Sequence, residues 1–345
     1  MTVHETYMNR CLQLAKLAAG YTAPNPMVGA VLVHEGKIIG EGYHEIYGKS
    51  HAEVNCIQSV KAEDEPKISI ATLYVSLEPC AHFGKTPPCA DLIIAKKIPH
   101  VVVGCRDPFE QVNGRGIEKL KNAGIEVDLG ILEKECAELN KRFFTYTIKK
   151  RPYIILKWAQ SVDGFIGSLD SRQVISNEIT NRVTHKWRSE EAAVMVGTNT
   201  AVTDDPVLTV RHWNGAQPVR ILLDLNLRLP KTLKLFDSPG RIIIVNEKKE
   251  GIEGQIQYLK LNPSNPLIPQ LNQKLCELQI QSLMVEGGAK LLQSFFREGV
   301  WDEARVIMNK ELRMGEGVMA PVIRKAKLMR QEDIDTDLIQ YYNPE

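Results

Sequence analysis

The chain has 345 residues, of which 43% are apolar and 25% charged, and its formal net charge is +1. These proportions are typical of a globular protein, and a chain of this length is expected to form two domains. The near-neutral charge excludes a global positive field that would recruit nucleic acid or an anionic membrane. We find no apolar run of about 18 residues, as a membrane span requires, and no signal-peptide core in the first residues. Seven scattered cysteines do not indicate a disulfide framework, so we expect a reducing cytoplasm.

Helical and strand patterns alternate along the first part of the chain. Apolar residues at helical spacing over 7–18 predict an opening helix, which Gly20 can end. The apolar runs 30–33 and 37–40 flank a turn and predict a β-hairpin. Further strands are predicted at 73–77, 100–104 and 125–129, and further helices from residue 51, after residue 89 and over 114–123. This alternation predicts a sheet covered by helices.

Three residues of this part are common metal ligands. His51 begins a predicted helix, Cys80 follows a predicted strand, and Cys89 lies at a helix N-terminus, where the helix dipole favours thiolate. One histidine and two cysteines leave the fourth tetrahedral position of zinc for water, as catalysis requires. Glu53 lies two residues after His51, close enough to handle that water's proton without being a ligand. The pattern predicts a zinc-dependent deaminase with Glu53 as its catalytic residue.

Three alternatives stay open at this point. Eight residues separate Cys80 from Cys89, whereas nucleobase deaminases usually place two between their cysteines. Two buried thiols and a solvated histidine would also fit, as would a closed structural zinc site with His82 as fourth ligand. The third alternative is a deaminase of nucleosides, nucleotides or tRNA adenosine that is fused to an unrelated domain. The near-neutral charge of the chain argues against a polynucleotide substrate.

Two further segments carry side chains suited to a substrate. Pro24 and Pro26 fix a rigid turn that can hold the Asn25 amide against a heterocycle, although this segment alone favours a plain turn before a strand. Lys85 lies in the loop between the two cysteines, where it either binds an anionic group of the substrate or is a solvated surface lysine.

Four motifs carry a resemblance to a known family. They are Thr22-x-Pro24-Asn25-Pro26-x-Val28-Gly29, Gly42-Tyr43-His44, His51-Ala52-Glu53-Val54 and Leu77-Glu78-Pro79-Cys80-x-His82-x-Gly84-Lys85-Thr86-Pro87-Pro88-Cys89. Together they resemble the deaminase half of the bifunctional riboflavin biosynthesis enzymes of the RibD family, in which the wide cysteine spacing is usual. The resemblance implies a cytidine deaminase-like three-layer α/β/α domain over residues 1–147, with zinc on His51, Cys80 and Cys89 and Glu53 as proton shuttle. It also implies substrate contacts from Asn25, His44, His82 and Lys85.

The second half begins after a charged hinge. Residues 134–150 predict one helix, which runs into the basic segment 149–152, a candidate domain boundary. A helix is predicted over 177–191, and strands over 153–157, 192–197, 218–224, 241–245, 282–285 and 303–308. Glycines 287 and 288 then lead into another helix, where backbone N–H groups can approach a phosphate. The G-x-G-x-x-G fingerprint is missing, so the segment alone favours an ordinary strand–helix turn.

Three motifs of this half resemble the reductase domain of the same family. They are Leu156-Lys157-x-Ala159-x-Ser161-x-Asp163-Gly164, Gly197-Thr198-x-Thr200-x-x-x-Asp204-Asp205-Pro206-x-Leu208-Thr209-x-Arg211 and Val285-Glu286-Gly287-Gly288. The resemblance implies a dihydrofolate reductase-like α/β domain over residues 152–345. It implies NADPH near Ala159, Thr200, Asp204, Gly288, Ala289 and Leu291. It implies a phosphoribosyl substrate near Lys157, Arg188, Leu208, Arg211 and Glu286, and arginine suits phosphate because it can bind two oxygens at once.

Two departures from the family pattern affect this half. Phe165 stands where family members often carry arginine after Asp-Gly. A Ser-x-Trp pair that contacts substrate and cofactor is replaced by Arg172 and Val174. We expect Arg172 to add a phosphate contact and Val174 to contact the cofactor with lower affinity than tryptophan would.

The resemblance implies a bifunctional enzyme with zinc and NADPH as cofactors. Its first half would deaminate 2,5-diamino-6-ribosylamino-4(3H)-pyrimidinone 5′-phosphate, with Asn25 and His44 on the pyrimidine and Lys85 on the phosphate. Its second half would reduce the ribosyl group to ribityl, with Lys157 and Glu286 polarising or positioning the ribose. We expect a small-molecule substrate, no nucleic-acid or membrane partner, and an assembly of two or four identical chains.

Overall fold

The chain divides into two units, residues 1–150 and residues 151–345. The computed structural model describes residues 1–81, 83, 87–110, 112–168 and 173–345. The division falls inside the basic segment 149–152. Within the described residues, no helix combines the length and the apolar character that crossing a bilayer would need.

A five-stranded sheet in the order β2-β1-β3-β4-β5 forms the centre of the first unit. Its strands are β1 Gly29–His34, β2 Lys37–Tyr43, β3 Thr72–Leu77, β4 His100–Cys105 and β5 Glu126–Leu129. β1 pairs antiparallel with β2 and β3, whereas β3, β4 and β5 are parallel. Because parallel strands end at one edge of a sheet, the loops that follow β3 and β4 lie side by side there.

Helices cover both faces of this sheet. They are α1 Val3–Lys16, α2 Ala52–Gln58, α3 Cys89–Ala95, α4 Arg115–Asn122, α5 Glu133–Leu139 and α6 Lys141–Lys149, with a 3₁₀ helix at Glu65–Ile70. Alternate residues of β1 point to opposite faces: Leu32 packs with α2, α3 and α4, and Val31 packs with α1 and α5. The unit therefore has the predicted three layers.

The prediction of one helix over residues 134–150 was wrong, because the helix breaks at Asn140. This residue leaves helical geometry, with φ −102° and ψ 18°, and it is only 2% exposed. The Met27 N–H donates to Asn140 Oδ1 at 2.8 Å, and Asn140 Nδ2 donates to the Met27 carbonyl at 2.9 Å. The side chain thereby holds the turn that precedes β1, and helical periodicity could not reveal this pairing.

Replacing Asn140 by alanine is expected to destabilise β1 and its turn by about 2 kcal/mol, because two hydrogen bonds of about 1 kcal/mol each are lost. Amide hydrogen exchange of residues 27–33 measures the effect. The matched control is Asn122→Ala at the exposed end of α4. Equal exchange rates in the two variants would contradict the prediction.

A ten-stranded sheet in the order β11-β12-β10-β9-β8-β13-β6-β14-β17-β16 forms the second unit, with a small sheet of β7 and β15 beside it. The strands are β6 Tyr153–Ser161, β7 Phe165–Gly167, β8 Ala193–Gly197, β9 Val219–Leu223, β10 Ile242–Asn246, β11 Gly251–Glu253, β12 Ile256–Lys260, β13 Ser282–Val285, β14 Glu303–Asn309, β15 Val318–Met319, β16 Ala326–Ile334 and β17 Asp337–Pro344. From β12 to β14 every neighbouring pair is parallel. The carboxyl ends of these strands therefore share one edge.

The helices of the second unit are α7 Glu178–Glu190, α8 Thr198–Asp204, α9 Lys234–Asp237, α10 Leu267–Glu277 and α11 Ala289–Glu298. α10 and α11 pack on one face of the large sheet, and α7, α8 and α9 pack on the other. The predicted helix over 177–191 and strand over 282–285 are confirmed as α7 and β13. Sequence patterns did not predict α8 or the hairpin of β16 and β17.

Candidate active sites

The three predicted metal ligands lie together in the first unit. His51 is the N-cap residue of α2, Cys80 lies three residues beyond β3, and Cys89 is the first residue of α3. His51 Nδ1 lies 3.6 Å from Cys80 Sγ and 3.3 Å from Cys89 Sγ, and all three donor atoms lie within 4.8 Å of one another. A tetrahedral zinc ion with bonds of about 2.0 Å to nitrogen and 2.3 Å to sulfur holds such atoms roughly 3.5–3.8 Å apart. The donor set and its spacing therefore fit zinc with a fourth position for water.

The two cysteines are coupled by hydrogen bonds. Hydrogen bonding with Cys89 and with the His51 ring lowers the pKa of Cys80 to about 4, although burial opposes this shift. Hydrogen bonding with Cys80, together with burial, raises the pKa of Cys89. The backbone N–H of Cys89 also donates to Cys80 Sγ at 3.3 Å. One thiolate is therefore formed near neutral pH, and a bound cation would favour the second.

Glu53 lies in the first turn of α2 and is only 3% exposed. Burial, reinforced by the charge of Cys80, raises its pKa to about 7. Interactions with Cys80, His51 and Cys89 also shift this pKa, so the carboxyl group lies beside the three candidate metal ligands. A carboxyl group with this pKa can both accept and release a proton near neutral pH.

His44 and Asn25 form a hydrogen-bonded chain beside these ligands. His44 Nδ1 lies 2.9 Å from the Ser50 carbonyl oxygen, so Nδ1 carries the hydrogen and donates it. Nε2 then accepts from Asn25 Nδ2 at 3.1 Å. Burial lowers the pKa of His44 and favours the neutral ring that this chain needs. The His44 ring centroid lies 5.5 Å from that of His51. His44 also orients the Asn25 amide, which leaves Asn25 Oδ1 able to accept a hydrogen bond from a bound ring.

His82 and Lys85, which we expected to contact the substrate, lie outside the described residues. The alternative with His82 as a fourth ligand stays untested for the same reason.

A cavity of about 970 Å³ opens in the second unit at the carboxyl ends of β6, β8 and β13. Its volume is at the upper end of the range for small-molecule sites, about 300–1,000 Å³. The predicted reductase residues in its wall are Lys157, Ala159, Val174, Arg188, Thr200, Asp204, Leu208, Glu286, Gly288, Ala289 and Leu291. Arg211 is not among the described residues that line it; its backbone N–H donates to His185 Nδ1 at 3.1 Å. Arg172 lies outside the described residues.

Arg188 and Glu286 form a nearly buried ion pair in the cavity wall. Arg188 Nε and Nη2 donate to the two Glu286 oxygens at 2.6 and 2.7 Å, and Nη1 donates to the Thr209 carbonyl at 3.3 Å. Burial alone would raise the pKa of Glu286, but the charge and hydrogen bonds of Arg188 lower it to about 2. Burial also lowers the pKa of Lys157. The Arg188 guanidinium group, which we expected to bind a phosphate, therefore donates two of its hydrogen bonds to Glu286.

The glycine turn after β13 lies close to α8. Gly287 has φ +126°, and a Cβ on Gly288 would come within 2.8 Å of Thr200 Oγ1. The predicted order of strand, glycine turn and helix is confirmed, because β13 ends at Val285 and α11 begins at Ala289. The backbone N–H groups of the first turn of α11 thus border the cavity, where they can bind a phosphate.

Comparisons with known proteins match both units. The model of the cytidine and deoxycytidylate deaminase zinc-binding region matches residues 1–105, and the model of the RibD C-terminal domain matches residues 152–318. Riboflavin biosynthesis protein RibD of Aquifex aeolicus (strain VF5) is 47% identical over 324 residues, which cover 92% of this chain and 89% of that protein. The chain belongs to the RibD family. RibD of Escherichia coli (strain K12) is 35% identical over 331 residues, 89% of this chain and 88% of that protein.

Solved structures agree with this assignment. The crystal structure of a diaminohydroxyphosphoribosylaminopyrimidine deaminase/5-amino-6-(5-phosphoribosylamino)uracil reductase from Thermotoga maritima superposes with a TM-score of 0.91, at 36% identity over 99% of each chain. The RibD fold is thus confirmed for both units: a cytidine deaminase-like domain followed by the RibD reductase domain. The chain is a bifunctional deaminase and reductase of riboflavin biosynthesis.

Two residues that depart from the RibD family pattern, Phe165 and Val174, lie in different parts of the second unit. Phe165 lies in β7, where it pairs with Met319 of β15. Val174 is 71% exposed and lines the cavity, so it offers a small apolar surface where the pattern has an aromatic ring.

Sequence reasoning missed several polar residues of the RibD reductase cavity. Asn177 and Asn181 border it near the start of α7, and Asn226 and Arg228 border it after β9. A signal existed for the second pair, because both residues follow a predicted strand, and ligand sites lie beyond the carboxyl ends of parallel strands.

Proposed function

We propose that the first unit hydrolyses 2,5-diamino-6-ribosylamino-4(3H)-pyrimidinone 5′-phosphate, and that the second unit then reduces the ribosyl group of the product with NADPH. The observation that carries the proposal is the convergence of His51, Cys80 and Cys89 beside the buried Glu53. The Thermotoga maritima protein is named for a deaminase and a reductase of such phosphoribosyl pyrimidines, which supports this substrate class.

In the deaminase unit, zinc held by His51, Cys80 and Cys89 would polarise a water molecule and lower its pKa. Glu53 accepts the proton of that water on a carboxylate oxygen. It then delivers the proton to the amine nitrogen that leaves as ammonia. Its burial beside Cys89 keeps the carboxylate close to the reacting atoms without making it a ligand.

Asn25 holds the pyrimidine by accepting a hydrogen bond from a ring N–H on Oδ1. His44 contributes by orienting this amide, because its Nε2 accepts from Asn25 Nδ2. His82 and Lys85 remain predicted substrate contacts, with Lys85 on the phosphate.

In the reductase unit, NADPH would supply the hydride to C1 of the ribosyl group. We propose that the cofactor lies against Ala159, Val174, Thr200, Asp204, Gly288, Ala289 and Leu291. The proposed substrate contacts are Lys157, Arg172, Arg188, Leu208, Arg211 and Glu286. Lys157 and Glu286 both line the cavity wall and would position the ribose hydroxyls.

The decisive experiment supplies the purified chain with the diamino pyrimidine phosphate, with and without NADPH, and identifies the products. We expect ammonia in both samples, and NADPH oxidation with a ribityl product only in the second. Release of ammonia from nucleosides but not from this substrate would contradict the proposal and favour a nucleoside deaminase.

Removal of zinc with a chelator is expected to abolish ammonia release and to spare NADPH oxidation on the deaminated pyrimidine, because the proposed ligands all lie in the first unit. Metal analysis and the two assays on one sample measure this. Added Zn²⁺ should restore ammonia release. A parallel loss of both activities would contradict the separation of the two sites.

We also propose an assembly of two or four identical chains in the cytoplasm. The seven cysteines are scattered along the chain and do not indicate a disulfide framework, which supports a reducing compartment. Analytical ultracentrifugation tests the assembly, and a monomer would contradict it.

A further inference from the structure

Glu78 is a buried carboxylate two residues before Cys80, and it is only 4% exposed. Its Oε2 accepts from the backbone N–H of Gly114 at 2.9 Å and of Asp107 at 3.4 Å. Its Oε1 accepts from the N–H groups of Gly116 and Ile117 at 3.0 and 3.3 Å. Backbone amides therefore surround a charge that would otherwise be costly to bury.

Most of these amides belong to the N-terminus of α4. The first turn of a helix has N–H groups without intrahelical partners and a partial positive charge, so a carboxylate is favoured there. Gly114, the residue before the helix, has φ +86°. At Gly116 a Cβ would come within 1.9 Å of the Pro79 carbonyl oxygen. The helix end is thus packed directly against the residue that joins Glu78 to Cys80.

The same helix also contacts the segment that carries the second cysteine. Lys119 of α4 forms an ion pair with Asp91 at 2.5 Å, and Asp91 lies two residues after Cys89 in α3. The Ala90 N–H donates to the Cys80 carbonyl at 3.1 Å, so the two cysteine-bearing segments are also joined directly.

We propose that Glu78 is a positioning residue that uses the N-terminus of α4 to set the Cys80 sulfur at the separation from Cys89 and His51 that zinc requires. The proline between Glu78 and Cys80 has a fixed φ, so a carboxylate held by four amides limits where the Cys80 sulfur can lie. Groups that orient metal ligands from behind typically change metal affinity when they are replaced. This inference rests on the proposed zinc site.

The test is the zinc affinity of Glu78→Gln, measured by competition with a chromophoric chelator. Glutamine keeps the size of the side chain but sets an NH₂ group against backbone N–H donors. We expect affinity to fall about 10- to 100-fold, as for other residues behind metal ligands. The Co²⁺-loaded variant should show shifted thiolate absorption bands. Glu118→Gln, on the exposed face of α4, is the matched control and should bind zinc as the unaltered chain does.

Several outcomes separate positioning from a merely structural role. Unchanged zinc affinity and unchanged cobalt bands in Glu78→Gln would overturn the inference, even if the metal-free variant melts earlier. If Glu78→Gln fails to fold, Glu78→Asp decides: it keeps the charge, is too short to reach all four amides, and should show an intermediate loss of affinity. A chain with native Glu78 that binds no zinc would instead refute the proposed metal site.

Discussion

Replacing Glu53 by glutamine is expected to lower the rate of ammonia release by at least about 100-fold, the lower end of the range for general acid–base residues. Glutamine has nearly the same size but can neither accept the proton of water nor return it to the leaving amine. Since Glu53 is not one of the three proposed ligands, the variant should still bind one zinc ion per chain. Single-turnover ammonia assays and metal analysis on the same sample measure both quantities.

The control for this variant is Glu63→Gln, an exposed carboxylate of the same unit. It should release ammonia at the rate of the unaltered chain, and both variants should oxidise NADPH with the deaminated pyrimidine. Ammonia release that stays intact in Glu53→Gln, with zinc still bound, would refute the role assigned to Glu53.

The grouping of His51, Cys80 and Cys89 could be predicted from sequence because each of them lies at or near the end of a regular element. Hydrophobic periodicity locates the end of β3 and the starts of α2 and α3, and it therefore locates His51, Cys80 and Cys89 at element ends. The wide cysteine spacing alone would have misled, since it differs from that of most nucleobase deaminases. The motifs around the two cysteines indicated the RibD family.

The features that sequence could not supply are contacts between distant segments. Asn140 fits a helical pattern until its amide meets Met27, which is 113 residues away. The partner of Arg188 is Glu286, 98 residues further along the chain. The sequence pattern placed Arg188 only on a helix, and the family resemblance implied only a substrate contact. Glu78 likewise belongs to a cysteine motif in the sequence. Only the folded structure shows that backbone N–H groups at the N-terminus of α4 bind its carboxylate. A single polar residue carries no information about its partner until the chain has folded.

Replacing Arg188 by methionine is expected to destabilise the second unit by about 3–5 kcal/mol, the range for a buried ion pair that loses one partner. The side chains of Arg188 and Glu286 are only 11% and 7% exposed, so Glu286 would stay buried without its hydrogen-bond donors. NADPH oxidation should be lost as well, because the carboxylate beside Lys157 would no longer be held in the cavity wall. Denaturant unfolding of the full chain, followed at the transition of the second unit, measures the loss of stability. An NADPH absorbance assay measures the loss of activity.

The double variant Arg188→Met/Glu286→Leu separates stability from function. Replacing both members of a buried pair by apolar residues is often neutral for stability, so most of the lost free energy of unfolding should return. Reduction should not return, because both proposed substrate contacts are gone. Lys186→Met provides the control on the same helix: Lys186 pairs with Glu190 at the surface, and such pairs contribute at most about 1 kcal/mol. A double variant that reduced the ribosyl group at the normal rate would show that the ion pair only supports the fold. A stable and active Arg188→Met variant would contradict both roles of the pair.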